Sequence, residues 1–358
     1  MRNLLSLALV FSLVAAPALC ANAQSAGPGR ANGTARTSAT PNASPNAATT
    51  DELMAMLPAS DLIAVVDVGR AFNELLPKLA GISTGGLDKL TKSIQYFTQN
   101  TGVDPSKIRK AVLSFCMDGQ QGTGVVIIQG IDPDAKQIEA VMKEFGTEIK
   151  SSDYKGKMVF NVTSNVKAPA AGPLSLKTDE VALAALGAQR VVFGDLKMVK
   201  QVIDIQTGAA KGGVSAAMTG ALSETRASAL IRFAMNPPES LRTQAADQGD
   251  IFKSVAAIKM ILGAFDVASD FSLSLDTIIR TASQNDASEL ETSLKGLVEL
   301  VRGIFGGGDP KENFFSQLLD QVKIGSKLSD VSLSISLPRA LIDQLSKKET
   351  PAPAEKKE

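Results

Sequence analysis

The chain has 358 residues, with 37 basic and 37 acidic side chains, no His and no Trp. Balanced charge removes the electrostatic attraction on which binding to nucleic acid or anionic lipid depends. The missing His excludes Ser-His-Asp and Cys-His catalysis, HExxH zinc sites and zinc fingers. Hydrophobic residues make up 44%, enough for packed cores, and the length exceeds what one core normally organises, so two domains are expected.

Residues 1–23 read as a secretory signal. Arg2 gives the positive start, Leu4–Ala16 the apolar stretch, and Ala21-Asn22-Ala23 a small-x-small cleavage site before Gln24. The protein is therefore expected to be exported, to the periplasm or outside the cell. A lipoprotein would keep Cys20 as its lipidated first residue, but that needs a small residue just before it, and Leu19 stands there. Cleavage after Ala23 leaves Cys116 as the single thiol, so no internal disulfide can form, and its setting in Val112–Met117 reads as a buried strand. No later apolar run reaches 18 residues, so no transmembrane span is expected in the mature chain.

Residues 24–50, rich in Ala, Asn, Ser, Thr, Pro and Gly, read as a disordered tether, and 347–358 as a disordered charged tail. The body opens with a strand at Leu62–Val68. Leu87, Leu90, Ile94 and Phe97 recur at helical spacing. Asp104-Pro105 resembles a helix start, and a hairpin follows, Ala111–Met117 with Gly124–Gly130 across a turn. Asp132-Pro133 opens a helix carrying Ile138, Val141, Met142 and Phe145. Strands follow at Met158–Thr163, Val181–Leu186 and Arg190–Gly194, after which a helix runs from Leu196 to about Gln206. Lys167–Pro173 is a loop.

The Gly/Ala-rich stretch Gly208–Gly220 marks the expected boundary between a first α+β domain, 51–212, and a second, 213–346. The second begins with a strand at Ala229–Met235 and helical residues after Pro237-Pro238. A hairpin joins Ile258–Val267 to Phe271–Arg280. A capping box at Asp286–Glu289 opens a long helix through Leu290, Leu294, Leu297, Val298, Val301 and Phe305. Gly306–Gly308 ends it. Asp309-Pro310 starts a helix with Phe314, Phe315, Leu318, Leu319 and Val322. A strand at Val331–Leu337 and a short helix from Pro338 to Leu345 complete the body.

Both halves read strand, helix, hairpin, helix, strand, helix. Hairpin connections in place of βαβ crossovers give the α+β class: two similar halves, each a mainly antiparallel sheet with helices packed on one face. Met56-Leu57-Pro58-Ala59-Ser60-Asp61 running into Leu62–Val68 resembles uncharacterised exported bacterial proteins with repeated strand–helix modules behind a signal peptide. That resemblance implies export and modular architecture, and transfers no site residue.

In Val331–Leu337 apolar residues alternate strictly with serine, and Phe271–Asp276 repeats the pattern. Ser272, Ser274, Ser332, Ser334 and Ser336 therefore share a polar face, a candidate partner-binding surface as well as a simply solvated one. Other chemistry is thinner. Ser152…Lys155 and Ser164…Lys167 have S-x-x-K spacing but sit in or beside loops. Asp132-x-Asp134 and Asp266…Asp270 are better explained by a helix start and a turn than by calcium. No phosphate- or dinucleotide-binding glycine motif occurs, no cofactor is implied, and the absence of Trp, with only Tyr96 and Tyr154, weighs against the aromatic platforms that sugar clefts usually use. The sequence thus points to an exported, non-catalytic protein with a binding or structural role at the cell envelope, its partner a protein or another envelope component. The alternative is an exported hydrolase restricted to Asp, Glu, Ser, Lys and Tyr chemistry.

Overall fold

A computed structural model describes residues 49–80, 86–118, 121–146, 148–163, 175–176, 180–247, 254–305 and 314–342. The expected signal, most of the tether, the 167–173 loop, the Gly306–Gly308 stop, the Asp309-Pro310 start and the tail lie outside the described residues. The chain divides into two compact units, one ending at Thr243 and the other beginning at Gln244.

In the first unit, α1 (Thr50–Met54) is opened by a reciprocal cap between Thr49 and Glu52. Then comes β1 (Leu62–Val66). The strand stops two residues before the sequence pattern does, because the Asp67 side chain accepts from the Arg70 amide at 3.0 Å and caps a helix. That helix, α2 (68–80), opens into a π-turn at Ala71–Leu75 before resuming. Pro77, two residues beyond it, cannot donate back to Asn73, which accounts for the loosened backbone. Next are α3 (Gly86–Thr101), β2 (Lys110–Asp118), β3 (Gln121–Gln129) and α4 (Ala135–Lys143), capped by Asp134 and Gln137. The remaining elements are β4 (Ile149–Tyr154), β5 (Lys157–Thr163), β6 (Ser175–Leu176), β7 (Glu180–Gly187), β8 (Arg190–Asp195), α5 (Leu196–Gln206), α6 (Ala216–Glu224), β9 (Ile231–Met235) and α7 (Glu239–Asp247). The strands run in the order β9-β1-β2-β3-β8-β7-β5-β4, all antiparallel, with β6 parallel to β3 at its end. The pattern left β4 unread because an edge strand with four exposed central residues carries no apolar alternation.

The central strands are continuous apolar runs, and both their faces are covered. On one face Ile138, Val141 and Met142 of α4 pack with Val181, Leu183 and Val191. The alternate residues Ala182, Ala184 and Val192 point the other way and are equally buried, where α5 packs on β7 and β8. One-sided covering, the expectation for each half, therefore understates this unit.

The Gly/Ala-rich stretch lies inside the first unit and is packing, not linker. The Gly213 amide donates to the Leu57 carbonyl at 3.0 Å. A Cβ at Gly213 would stand 2.1 Å from the Ala59 nitrogen, so only glycine fits there. Beyond it β9 pairs residue for residue with β1, Ile231 opposite Val66 and Met235 opposite Leu62. The division between compact units falls within α7, between Thr243 and Gln244, and not at residue 213.

The second unit holds β10 (Ile258–Val267), β11 (Leu273–Thr281), α8 (Gln284–Phe305), α9 (Phe314–Leu319), β12 (Val322–Lys327) and β13 (Asp330–Leu337). The strand order is β12-β13-β11-β10, antiparallel throughout. Here one face carries the helices. Ala287 and Leu290 of α8 are buried with Ile258 and Val331, and Leu294, Ile261, Ile279 and Ile324 pack around them. Val298 and Leu319 form a smaller adjoining cluster. The cap of α8 is one turn earlier than the sequence suggested. Ser283 accepts from the Asp286 amide at 3.2 Å and donates to its carboxylate at 2.7 Å. Val322 is the first residue of β12 and not the end of a helix. At six residues, with a glycine and two lysines, this edge strand hides in the sequence as it resists edge-to-edge pairing.

Candidate functional site

The second unit's strands set the serines in rows. Antiparallel pairing places Ser274 opposite Ser336, Asp276 opposite Ser334, and Ile278 opposite Ser332. From the other side β12 sets Lys323 beside Ser334 and Gly325 beside Ser332. Strand alternation sends these side chains away from α8, while Leu275, Thr277, Ile279, Val331, Leu333 and Ile335 take the helix side. Ser332, Ser336, Asp276 and Lys323 are exposed, and Ser274 and Ser334 half-buried. Toward β10 the same face closes into apolar packing, with Met260, Leu262 and Ala264 buried. At its far end Arg280 and Asp330 form an ion pair of 3.2 Å.

Four of the five predicted serines therefore share a face, and Ser272 does not. It precedes β11, in a turn where its amide and hydroxyl both donate to Asp270 Oδ1, at 2.9 and 2.7 Å. The Ser272 amide, then the Ser272 hydroxyl, hold the Asp270 carboxyl below its ordinary range. Phe271, expected as the first strand residue, takes φ of 66° and is buried, with the Arg339 guanidinium 5.7 Å from its ring centroid. Such a backbone is costly for an aromatic residue, and the burial of the ring offsets the cost. The Ser332 hydroxyl is likewise committed, donating to the Gly325 carbonyl at 3.0 Å. Sequence reasoning missed the charges bordering the serines, above all Lys323, because recognising it required β12 to be recognised first.

The nucleophile candidates are tied up. Lys155 sits at the β4–β5 turn, 2.5 Å from Asp204 Oδ1, and Tyr154 donates to the same carboxylate at 3.0 Å. The Asp204 contact raises the Lys155 pKa, the opposite of what a lysine base for Ser152 requires. Ser164…Lys167 lies outside the described residues. A second group joins β12 to α8: the Ser326 hydroxyl donates to Glu291, which pairs with Lys295 at 2.5 Å. Lys295 first, then Ser326, lower the Glu291 pKa, making it a poor proton acceptor. The Cys116 thiol donates to the Ala59 carbonyl at 3.0 Å, and burial, then Asp61, push its pKa up. It is a half-buried core thiol and not a thiolate nucleophile. Asp134 is occupied as the α4 cap and Asp270 by its turn. Among the described residues no group of three or more His, Cys, Asp or Glu stands together to hold a metal. No described helix is long and apolar enough to cross a membrane.

No protein-family model matches the chain, and no curated protein matches it. Among solved structures it is similar to crystal forms III, I and IV of TP0453, with TM-scores of 0.43, 0.40 and 0.42 and identities of 8%, 7% and 8%. The matches cover 82%, 83% and 82% of this chain and 97%, 96% and 95% of the other. The similarity is distant, and no site residue is transferred from it.

Proposed function

We propose that this is an exported, non-catalytic protein that binds a partner at the cell envelope through the serine-lined face of β11 and β13. The observation that carries the reading is the register itself. Ser274, Ser336, Ser334 and Ser332 stand on adjacent strands, on the side opposite the helix layer. Hydroxyls both donate and accept, so such a face can match a polar partner without the desolvation penalty of buried charge. Lys323 and Asp276 at the margins give it a direction of charge. The committed states of Lys155, Glu291 and Cys116 support a binding role over a hydrolytic one.

Element order supports two similar halves. From β1 the chain runs strand, helices, hairpin, helix, hairpins, helices. From β9 it runs strand, helix, hairpin, helices, hairpin, and helical residues 339–342. The repeat begins at β9, within the first compact unit.

Two measurements test the proposal. N-terminal sequencing of exported material should begin at Gln24, and a lipid-modified Cys20 would make the protein membrane-anchored instead. Ser334→Lys should leave the melting temperature intact and abolish co-purification of the partner from the envelope fraction. Identical partner sets on wild type and variant would remove the serine face from the account.

A further inference from the structure

Strand β12 uses half of its backbone groups. The loop Leu328-Ser329 makes Lys327 and Asp330 the closing pair of the β12–β13 hairpin, and beyond the other end the Ser336 amide donates to the Gln321 carbonyl at 3.4 Å. Gln321, Lys323, Gly325 and Lys327 thus turn their amides and carbonyls toward β13, while Val322, Ile324 and Ser326 turn theirs outward. Among the described residues β12 ends the strand order, and no strand receives those outward groups. Alternation sets Lys323, Gly325 and Lys327 on the serine side, the two lysines about 13 Å apart along the strand. Both lysines are exposed, and among the described residues neither pairs with a carboxylate.

We propose that this edge receives an extended acidic segment of another protein as an added antiparallel strand, with carboxylates four residues apart opposite Lys323 and Lys327. Hydrogen bonds to the outward groups of Val322, Ile324 and Ser326 hold the segment, and the lysines select it. Its residue between the two carboxylates lies opposite Gly325, where a Cβ would have only the Ser332 hydroxyl within 4 Å, at 3.7 Å, so a large side chain there covers bare backbone. Charge rules out the occupants that the chain itself could supply. A second copy of β12, related by a two-fold axis, would bring four lysines to one face. Strand β4 offers a single carboxylate, Asp153. No segment outside the described residues has two acidic residues four apart, and between Glu349 and Glu355 the tail carries Pro351 and Pro353, which lack the amide a ladder needs. The inference goes beyond the serine face, because strand addition at this edge requires no contact with Ser274 or Ser336.

A synthetic capped peptide of about nine residues tests the edge. It carries Glu at its third and seventh positions, Tyr at the fifth, Thr at both ends and Val at the even positions. Its binding, followed by fluorescence anisotropy, should weaken about tenfold or more when Lys323→Glu and Lys327→Glu are combined, with the melting temperature unchanged. The same peptide with Lys in place of Glu should show the reverse preference. N-methylation of the fourth and sixth peptide amides, which face β12, should abolish binding to wild type, whereas N-methylation of the fifth, which faces away, should leave it intact. No binding at millimolar peptide, equal binding by wild type and the charge-reversed variant, or equal effects of methylation at the fourth and fifth amides overturns the proposal.

Discussion

The strands of the first unit and those of the second solve the same burial problem differently. In β1, Ile63, Ala64, Val65 and Val66 are all buried, and β7 buries Val181 through Ala184 without interruption. The β7 run lies between α4 on one face and α5 on the other. In β13 burial alternates, with Val331 and Leu333 buried and Ser332 exposed between them. One layer of helices covers that region, and its other side meets solvent at the serines. A continuous apolar run therefore marks a strand closed on both faces, and strict alternation marks a surface left open.

Charge on a strand should separate the two regions most strongly. Val192→Asp places an unpaired carboxylate where no water reaches and should cost more than about 4 kcal/mol, enough to abolish the first unit's cooperative urea transition. Ser336→Lys, on the open side of the second unit, should change stability by about 0.5 kcal/mol or less. Comparable losses from the two variants would erase the distinction.

The covered side of the second unit is the next place to press. Leu290→Ala removes a fully buried side chain between α8 and the strands, and should cost about 2–5 kcal/mol by urea denaturation. A loss under about 1 kcal/mol would mean that α8 contributes little to holding the strands.

Acid gives the smallest contrast. Lys295 and Ser326 hold the folded Glu291 pKa below its unfolded value. The stabilisation is thus complete above the ordinary glutamate value of about 4.3 and is lost as the pH falls through the lower folded value. The group is near the surface, so the effect is small. Glu291→Gln should bring the melting temperatures of variant and wild type together at low pH, with wild type higher near neutrality. Parallel curves would show that the β12–α8 link carries no linkage to pH.

Much of this architecture is legible in the sequence, for identifiable reasons. Leu196–Gln206 and Ile258–Val267 fall at the bounds read from the sequence. The α+β class follows from hairpin spacing. Two strands, β4 and β12, escape, since β4 exposes its central residues and β12 is short and broken by Gly325. The Gly208–Gly220 stretch misleads because glycine serves close packing as readily as a linker, and only the approach of Gly213 to Ala59 separates the two uses. Four serines of the candidate face follow from alternation alone. Ser272 departs because Phe271 adopts a left-handed backbone, and Lys323 joins because pairing brings it there. Local sequence carries neither fact, since register is a property of two strands together.

Accessibility of single cysteines placed on the two sides of β13 bears most directly on the open serine face. In a Cys116→Ser background, a maleimide should label Ser336→Cys rapidly in the native protein and leave Leu333→Cys protected until urea unfolds it. Protection of both positions would mean that the serine side is buried like the strands of the first unit, and that no partner surface exists there.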